Sequence, residues 1–156
     1  GWDTFYSGTV GAAREGAMQG LTSFSISLDC KSGERHLETA ILLAQRIADL
    51  LLCNSLPSNV FLNVNVPNLP KEELKGVEVT RLGRRVYRSP IREIFREGEK
   101  AVYWFGGEMP LDEMEEGTDT YAVSQGKVSI TPLGLNLTSS ETLDILKVGK
   151  WEDLIA

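Results

Sequence analysis

Two runs of alternating polarity, separated by one long amphipathic stretch, restrict what this chain can fold into more than anything else in it. Leu21 to Leu28 sets Ser23, Ser25 and Ser27 against Phe24, Ile26 and Leu28, and Val60, Leu62, Val64 and Val66 alternate with Phe61, Asn63 and Asn65 before Pro67. A period of two is the signature of a strand. Between them, from Glu34 to about Asn54, Leu37, Ala40, Ile41, Ala44, Ile47, Ala48 and Leu51 recur at three- and four-residue spacing, and Pro57 follows. That is one face of a long helix. Two strands joined by such a helix predict a parallel βαβ crossover.

Upstream, Gly8 to Gly20 interleaves Gly11, Ala12, Ala13, Gly16 and Ala17 with Val10, Arg14, Glu15 and Met18. This suits a short helix packed closely on a sheet, with Gly20 where a terminating glycine belongs. Beyond Pro70 the pattern changes: Val77 to Leu82, Arg84 to Arg88 and Lys100 to Phe105 are short β-type runs joined by Gly83, Pro90, Gly98, Gly106 and Gly107. They predict an antiparallel excursion. Arg81, Arg84, Arg85, Arg88, Arg92 and Arg96 precede an acidic loop of Glu108, Asp112, Glu113, Glu115 and Glu116, which fits either a solvated hairpin or a subunit-contact arm. Thr118 to Gln125 can form a short helix ended by Gly126, Lys127 to Thr131 a strand ended by Pro132, and Thr138-Ser139-Ser140-Glu141 a capping box opening a C-terminal helix.

Charge narrows the partners. Sixteen Lys and Arg against 22 Asp and Glu give a net charge of −6 over 156 residues. Such a balance argues against general affinity for a nucleic-acid duplex or an anionic membrane, and a phosphorylated substrate would need a local cation. No run of 18 apolar residues is present and the start carries no basic, then apolar, leader, so a cytoplasmic location is expected. Cys30 and Cys53 are expected to be free thiols. The single histidine, His36, falls in the first turn of the long helix and has no nucleophile motif beside it, so it is expected to be a surface residue rather than a catalyst.

One segment carries chemistry. Tyr6-Ser7-Gly8-Thr9 stands immediately before the small-residue helix, and a helix N-terminus offers unpaired N–H groups and a positive dipole end to an anion. Gly8 lets a ligand approach the backbone, while Ser7 and Thr9 add hydroxyl donors. Simple capping by Ser or Thr is the alternative. No phosphate loop, dinucleotide fingerprint or nucleophile elbow occurs. The acidic loop lacks calcium-loop spacing, and Asn63 and Asn65 fit a role in tying adjacent backbone.

Asp3-Thr4, Tyr6-Ser7-Gly8-Thr9-Val10 with Ala12, Ala13, Glu15 and Gly16, Leu62-Asn63-Val64-Asn65-Val66-Pro67, Gly117-Thr118-Asp119 with Ala122, Val123 and Gly126, and Val128-Ser129-Ile130-Thr131-Pro132-Leu133 lie in order along the chain. Together they resemble the SurE survival-protein family. The resemblance implies a metal-dependent phosphatase of nucleoside monophosphates, a 5'/3'-nucleotidase using Mg²⁺ or Mn²⁺, with Ser7, Gly8 and Thr9 as the phosphate-binding and catalytic segment. It implies an α/β fold: a Rossmann-like, mostly parallel sheet with an antiparallel hairpin excursion and a C-terminal helix. The family's Asp-Asp-Gly strand and Ser-Gly-x-Asn metal ligands are not in residues 1–156, so the chain is expected to be one incomplete α/β domain matching the family's C-terminal part, with the metal and the proton acceptor of the attacking water supplied upstream. It implies too a homodimer or homotetramer built through the 83–107 arm and the 138–156 tail, with Trp104, Phe105 and Trp151 as apolar anchors. A non-catalytic oligomerisation module is the rival reading, because those ligands are absent from this sequence.

Overall fold

Ser7 opens the first helix by accepting, at its Oγ, the Val10 N–H at 3.2 Å, which satisfies one of the amides a helix start leaves unpaired. The structure, a computed structural model, describes residues 1–31, 33–54, 56–86, 91–104, 111–149 and 151. A 3-10 turn at Trp2–Phe5 leads into α1 (Gly8–Met18), which ends at Gln19 ahead of Gly20, whose φ of +79° turns the chain. There follow β1 (Phe24–Asp29), α2 (Leu37–Cys53) and β2 (Val60–Pro67). β1 and β2 pair in parallel, Phe24 opposite Leu62 through Asp29 opposite Pro67, as a helical crossover requires. His36 is the N-cap residue of α2 and lies just outside its first turn, half-buried.

Apolar side chains fill both faces of this unit. Val64 and Val66 of β2 meet Ile47 and Leu51 of α2, with Phe24, Ile26 and Leu28 packed around them. On the other face Phe61 meets Val10, Ala13 and Ala17 of α1. The small residues of α1 divide by duty: a Cβ on Gly16 would stand 2.5 Å from Ser23 Oγ, whereas one on Gly8 or Gly11 would meet nothing within 4 Å. Leu37 and Ile41, expected on the buried side of α2, are 52% and 58% exposed. The apolar arc of α2 is wider than the part the sheet covers.

Past Pro70 the chain forms β3 (Val77–Val79), β4 (Arg85–Val86), β5 (Arg92–Glu97), β6 (Lys100–Trp104), β7 (Leu111–Asp112), α3 (Asp119–Ser124), β8 (Val128–Gly134) and α4 (Ser140–Lys147). The main sheet runs β1-β2-β8-β3. β1/β2 and β3/β8 are parallel and β2/β8 antiparallel, so parallel pairing predominates in a mixed α/β fold. Val77–Val79, expected in the antiparallel excursion, belongs to this sheet instead, because β8 offers it a free edge.

Pro132 does not end β8. It stands opposite Leu62, whose N–H is directed to Ser23 O at 3.2 Å on the β1 side. The donor that proline lacks therefore falls on the far side, beyond the last β3 partner, where Thr80 N–H donates to Ile130 O at 3.0 Å. The cap of α4 also shifts by one residue. Ser139 Oγ accepts Thr142 N–H at 3.3 Å, while Thr138 N–H donates to Asn136 Oδ1.

The excursion has a root and a tip. At the root β4 pairs antiparallel with β7; at the tip β5 and β6 form a two-stranded hairpin with an irregularity between Glu93 and Phe95. β5 was hidden in the sequence by its charges, two of which pair: Arg96 Nε donates to Glu93 Oε1 at 2.8 Å and holds that carboxyl below the usual range. Arg88, Pro90, Phe105, Gly106, Gly107, Glu108 and most of the tail beyond Gly149 lie outside the described residues. Cys30 is half-buried and Cys53 exposed, both unpaired with other cysteines.

Candidate functional site

Three chain termini of regular structure converge: the start of α1, the carboxyl end of β1 and the carboxyl end of β2. They border a cavity of about 330 Å³ whose lining includes Asp3, Thr4, Ser7, Ser27, Asp29, Asn63, Asn65, Arg85 and Asp119. A crevice at the carboxyl ends of parallel strands is where open α/β sheets bind ligands. The α1 face of β2 changes character along its length to suit this, from the apolar Phe61 under the helix to Asn63 and then Asn65 at the cavity.

Ser7 borders the cavity, half-buried; Gly8 and Thr9 are exposed in the first turn beside it and are not part of its lining. The Ser7 oxygen is used as an acceptor by Val10 N–H, which leaves its hydrogen to donate outward. The N–H groups of Gly8 and Thr9 meet no acceptor among the described residues. Capping and anion binding are therefore compatible uses of one helix end.

The local cation that a phosphate would need is present twice, as Lys31 and Arg85 in the cavity wall. Arg85 Nη1 donates to Asp3 Oδ2 at 2.5 Å. Asn63 is 2% exposed and its Oδ1 accepts from Ser25 Oγ at 2.9 Å, so it ties a neighbouring side chain rather than backbone. Ser25 belongs to a buried polar layer on this face of the sheet, continued by Thr131, Thr80 and Ser129, in which Thr80 Oγ1 lies 2.7 Å from Thr131 Oγ1 and 3.3 Å from Ser129 Oγ.

Arg85 and Lys31 escaped the sequence reading because nothing distinguishes them from the other surface cations until the fold closes. The acidic loop answers the basic run in pairs, Glu115 with Arg81 at 2.5 Å and Glu113 with Arg84 at 3.8 Å, while Arg84 also stacks 5.6 Å from the Trp2 ring. Among the described residues no group of three or more His, Cys, Asp or Glu side chains gathers to hold a metal. No described helix is long and apolar enough to cross a membrane.

A family model described as "Survival protein SurE" matches residues 1–89. The chain is 44% identical over 151 residues to "5'-nucleotidase SurE" of Alkalilimnicola ehrlichii, covering 97% of this chain and 58% of that one. It is 39% identical over 153 residues to the protein of the same name from Chloroflexus aggregans, covering 97% and 60%. Among solved structures, the SurE protein from Aquifex aeolicus superposes with a TM-score of 0.77 at 36% identity, over 94% of this chain and 59% of that one. The chain thus spans about three-fifths of the length of these relatives.

Proposed function

Given that the chain belongs to the SurE survival-protein family, we propose that it carries the phosphate-binding part of a nucleotidase that hydrolyses nucleoside monophosphates. The observation that carries this reading is the α1 N-terminus, whose free Gly8 and Thr9 N–H groups stand beside a cavity bordered by Ser7 and two cations. In this reading the substrate phosphate sits at that end of α1. The two N–H groups and the Ser7 and Thr9 hydroxyls donate to its oxygens as charge builds on them in the transition state. Lys31 and Arg85 bring positive charge to a wall that also holds Asp3, Asp29 and Asp119, Arg85 being paired with Asp3.

The family resemblance adds a divalent ion, Mg²⁺ or Mn²⁺. Among the described residues no site for it is assembled; on this reading the family's upstream motifs supply its ligands, and no step above runs through the ion. A cytoplasmic location accompanies the proposed substrate. The names of the relatives favour this reading over a non-catalytic assembly module.

The proposal extends to a homodimer or homotetramer. Ile94, Phe95, Val102, Tyr103 and Trp104 are all at least half exposed on a hairpin that forms a sheet of its own, and α4 buries none of its residues. Two strands alone are marginal in water, so a partner surface is the natural use of both elements.

The test is phosphate release from a nucleoside monophosphate by the full-length protein with Mn²⁺, with and without a chelator. Chelator-sensitive release is expected, and Thr9→Ala is expected to lower it about tenfold, less than the roughly 100- to 1000-fold of a water-excluded transition-state donor because Thr9 is exposed. Its unfolding midpoint should stay unchanged. Turnover unaffected by Thr9→Ala removes that hydroxyl from the mechanism.

A further inference from the structure

One buried carboxylate beside the cavity is committed to backbone. Asp119, the first residue of α3, is 1% exposed. Its Oδ1 accepts Gly83 N–H at 2.8 Å and Thr120 N–H at 2.9 Å, so the start of α3 and the loop that leads into β4 meet on one side chain.

From Asp119 the connection to the helix start runs through Gly83, whose carbonyl accepts Trp2 N–H at 3.0 Å, and then through the turn, where Thr4 O accepts Ser7 N–H at 3.4 Å. Gly83 is pressed so closely on α3 that an added Cβ would collide with Thr120 Oγ1 and lie 3.2 Å from Asp119 Oδ1. A buried carboxylate accepting several N–H groups makes strong, charge-assisted bonds and fixes backbone rather than side chains.

We propose that Asp119 is a positioning residue for the phosphate cradle: through Gly83 and the Trp2–Phe5 turn it sets where Ser7 enters α1, and so where the Gly8 and Thr9 N–H groups point. The consequence for catalysis rests on the nucleotidase reading; the consequence for the turn does not. Asp119→Ala removes the oxygen that accepts both N–H groups, so the Gly83 and Thr120 ties are both lost.

The experiment compares full-length wild type, Asp119→Ala and Gly83→Ala by amide hydrogen exchange and by nucleoside monophosphate hydrolysis with Mn²⁺. Gly83→Ala opens the same junction from the other side and serves if the Asp119 variant does not fold. Exchange across residues 2–10 is expected to quicken about tenfold while β2 and β8 keep their rates, and KM is expected to rise about tenfold with a smaller fall in kcat, as misplacement of a binding group does. Unchanged exchange at residues 2–10, or an equal rise across the sheet, overturns the proposal. Active variants whose KM matches wild type do the same. If the wild type releases no phosphate yet exchange responds as expected, the nucleotidase reading fails and the structural role of Asp119 stands.

Discussion

Ser25 and Asn63 face each other across β1 and β2, and their bond is the one side-chain link in the cavity floor that two substitutions can take apart cleanly. Ser25→Ala leaves the nearly buried Asn63 Oδ1 without its donor, which costs about 1–3 kcal/mol for an orphaned buried acceptor. Adding Asn63→Leu removes the orphan as well, and most of that loss should return; denaturant unfolding of both variants measures it. At this scale the sequence was informative only where a residue acts through its neighbours in the chain. Ser7 is legible because Gly8, Thr9 and a helical pattern follow it at once, and a helix start has the same exposed amides in any fold. Asp119 and Arg85 are not, because their partners, Gly83 and Asp3, are far away in sequence and come near only after the sheet has formed.

Among the elements, α1 shows a local preference held back by packing. Alanine in a helix interior is favoured over glycine by about 1 kcal/mol, yet at Gly16 the new Cβ would displace Ser23 Oγ from the Leu21 carbonyl that it contacts at 3.0 Å. Gly16→Ala is expected to bring no net stability by itself. In a Ser23→Ala background, where the oxygen is gone, the same change should stabilise by about 1 kcal/mol, a non-additivity that thermal unfolding of the four-member cycle will reveal. Elements with a strong period, β1, α2 and β2, were legible because their two faces meet different surroundings, apolar packing on one side and polar groups or solvent on the other. β3 and β5 were not. Three residues are too few to show a period, and in β5 the charges Arg92, Glu93, Arg96 and Glu97 mask the alternation around a local irregularity.

On the scale of the whole molecule the apolar surface is unevenly spent. β1 and β2 are packed against α2 on one face and α1 on the other, while Trp104 of the arm and Trp151 beyond α4 are 55% and 52% exposed. If these are subunit anchors, Trp104→Ala with Trp151→Ala should lower the sedimentation coefficient of the full-length protein to that of a smaller assembly, with its secondary structure retained; an unchanged coefficient removes them as anchors. The arrangement of strands was legible only in part, since the parallel crossover follows from helix length but nothing in the sequence says which edge a later strand will take. β8 takes none: it enters between β2 and β3, the last of the described strands filling the centre of the sheet. On the ribosome, then, β2 waits with an unpaired edge while some fifty residues of arm and loop emerge, and that edge is open to any other extended chain that reaches it first.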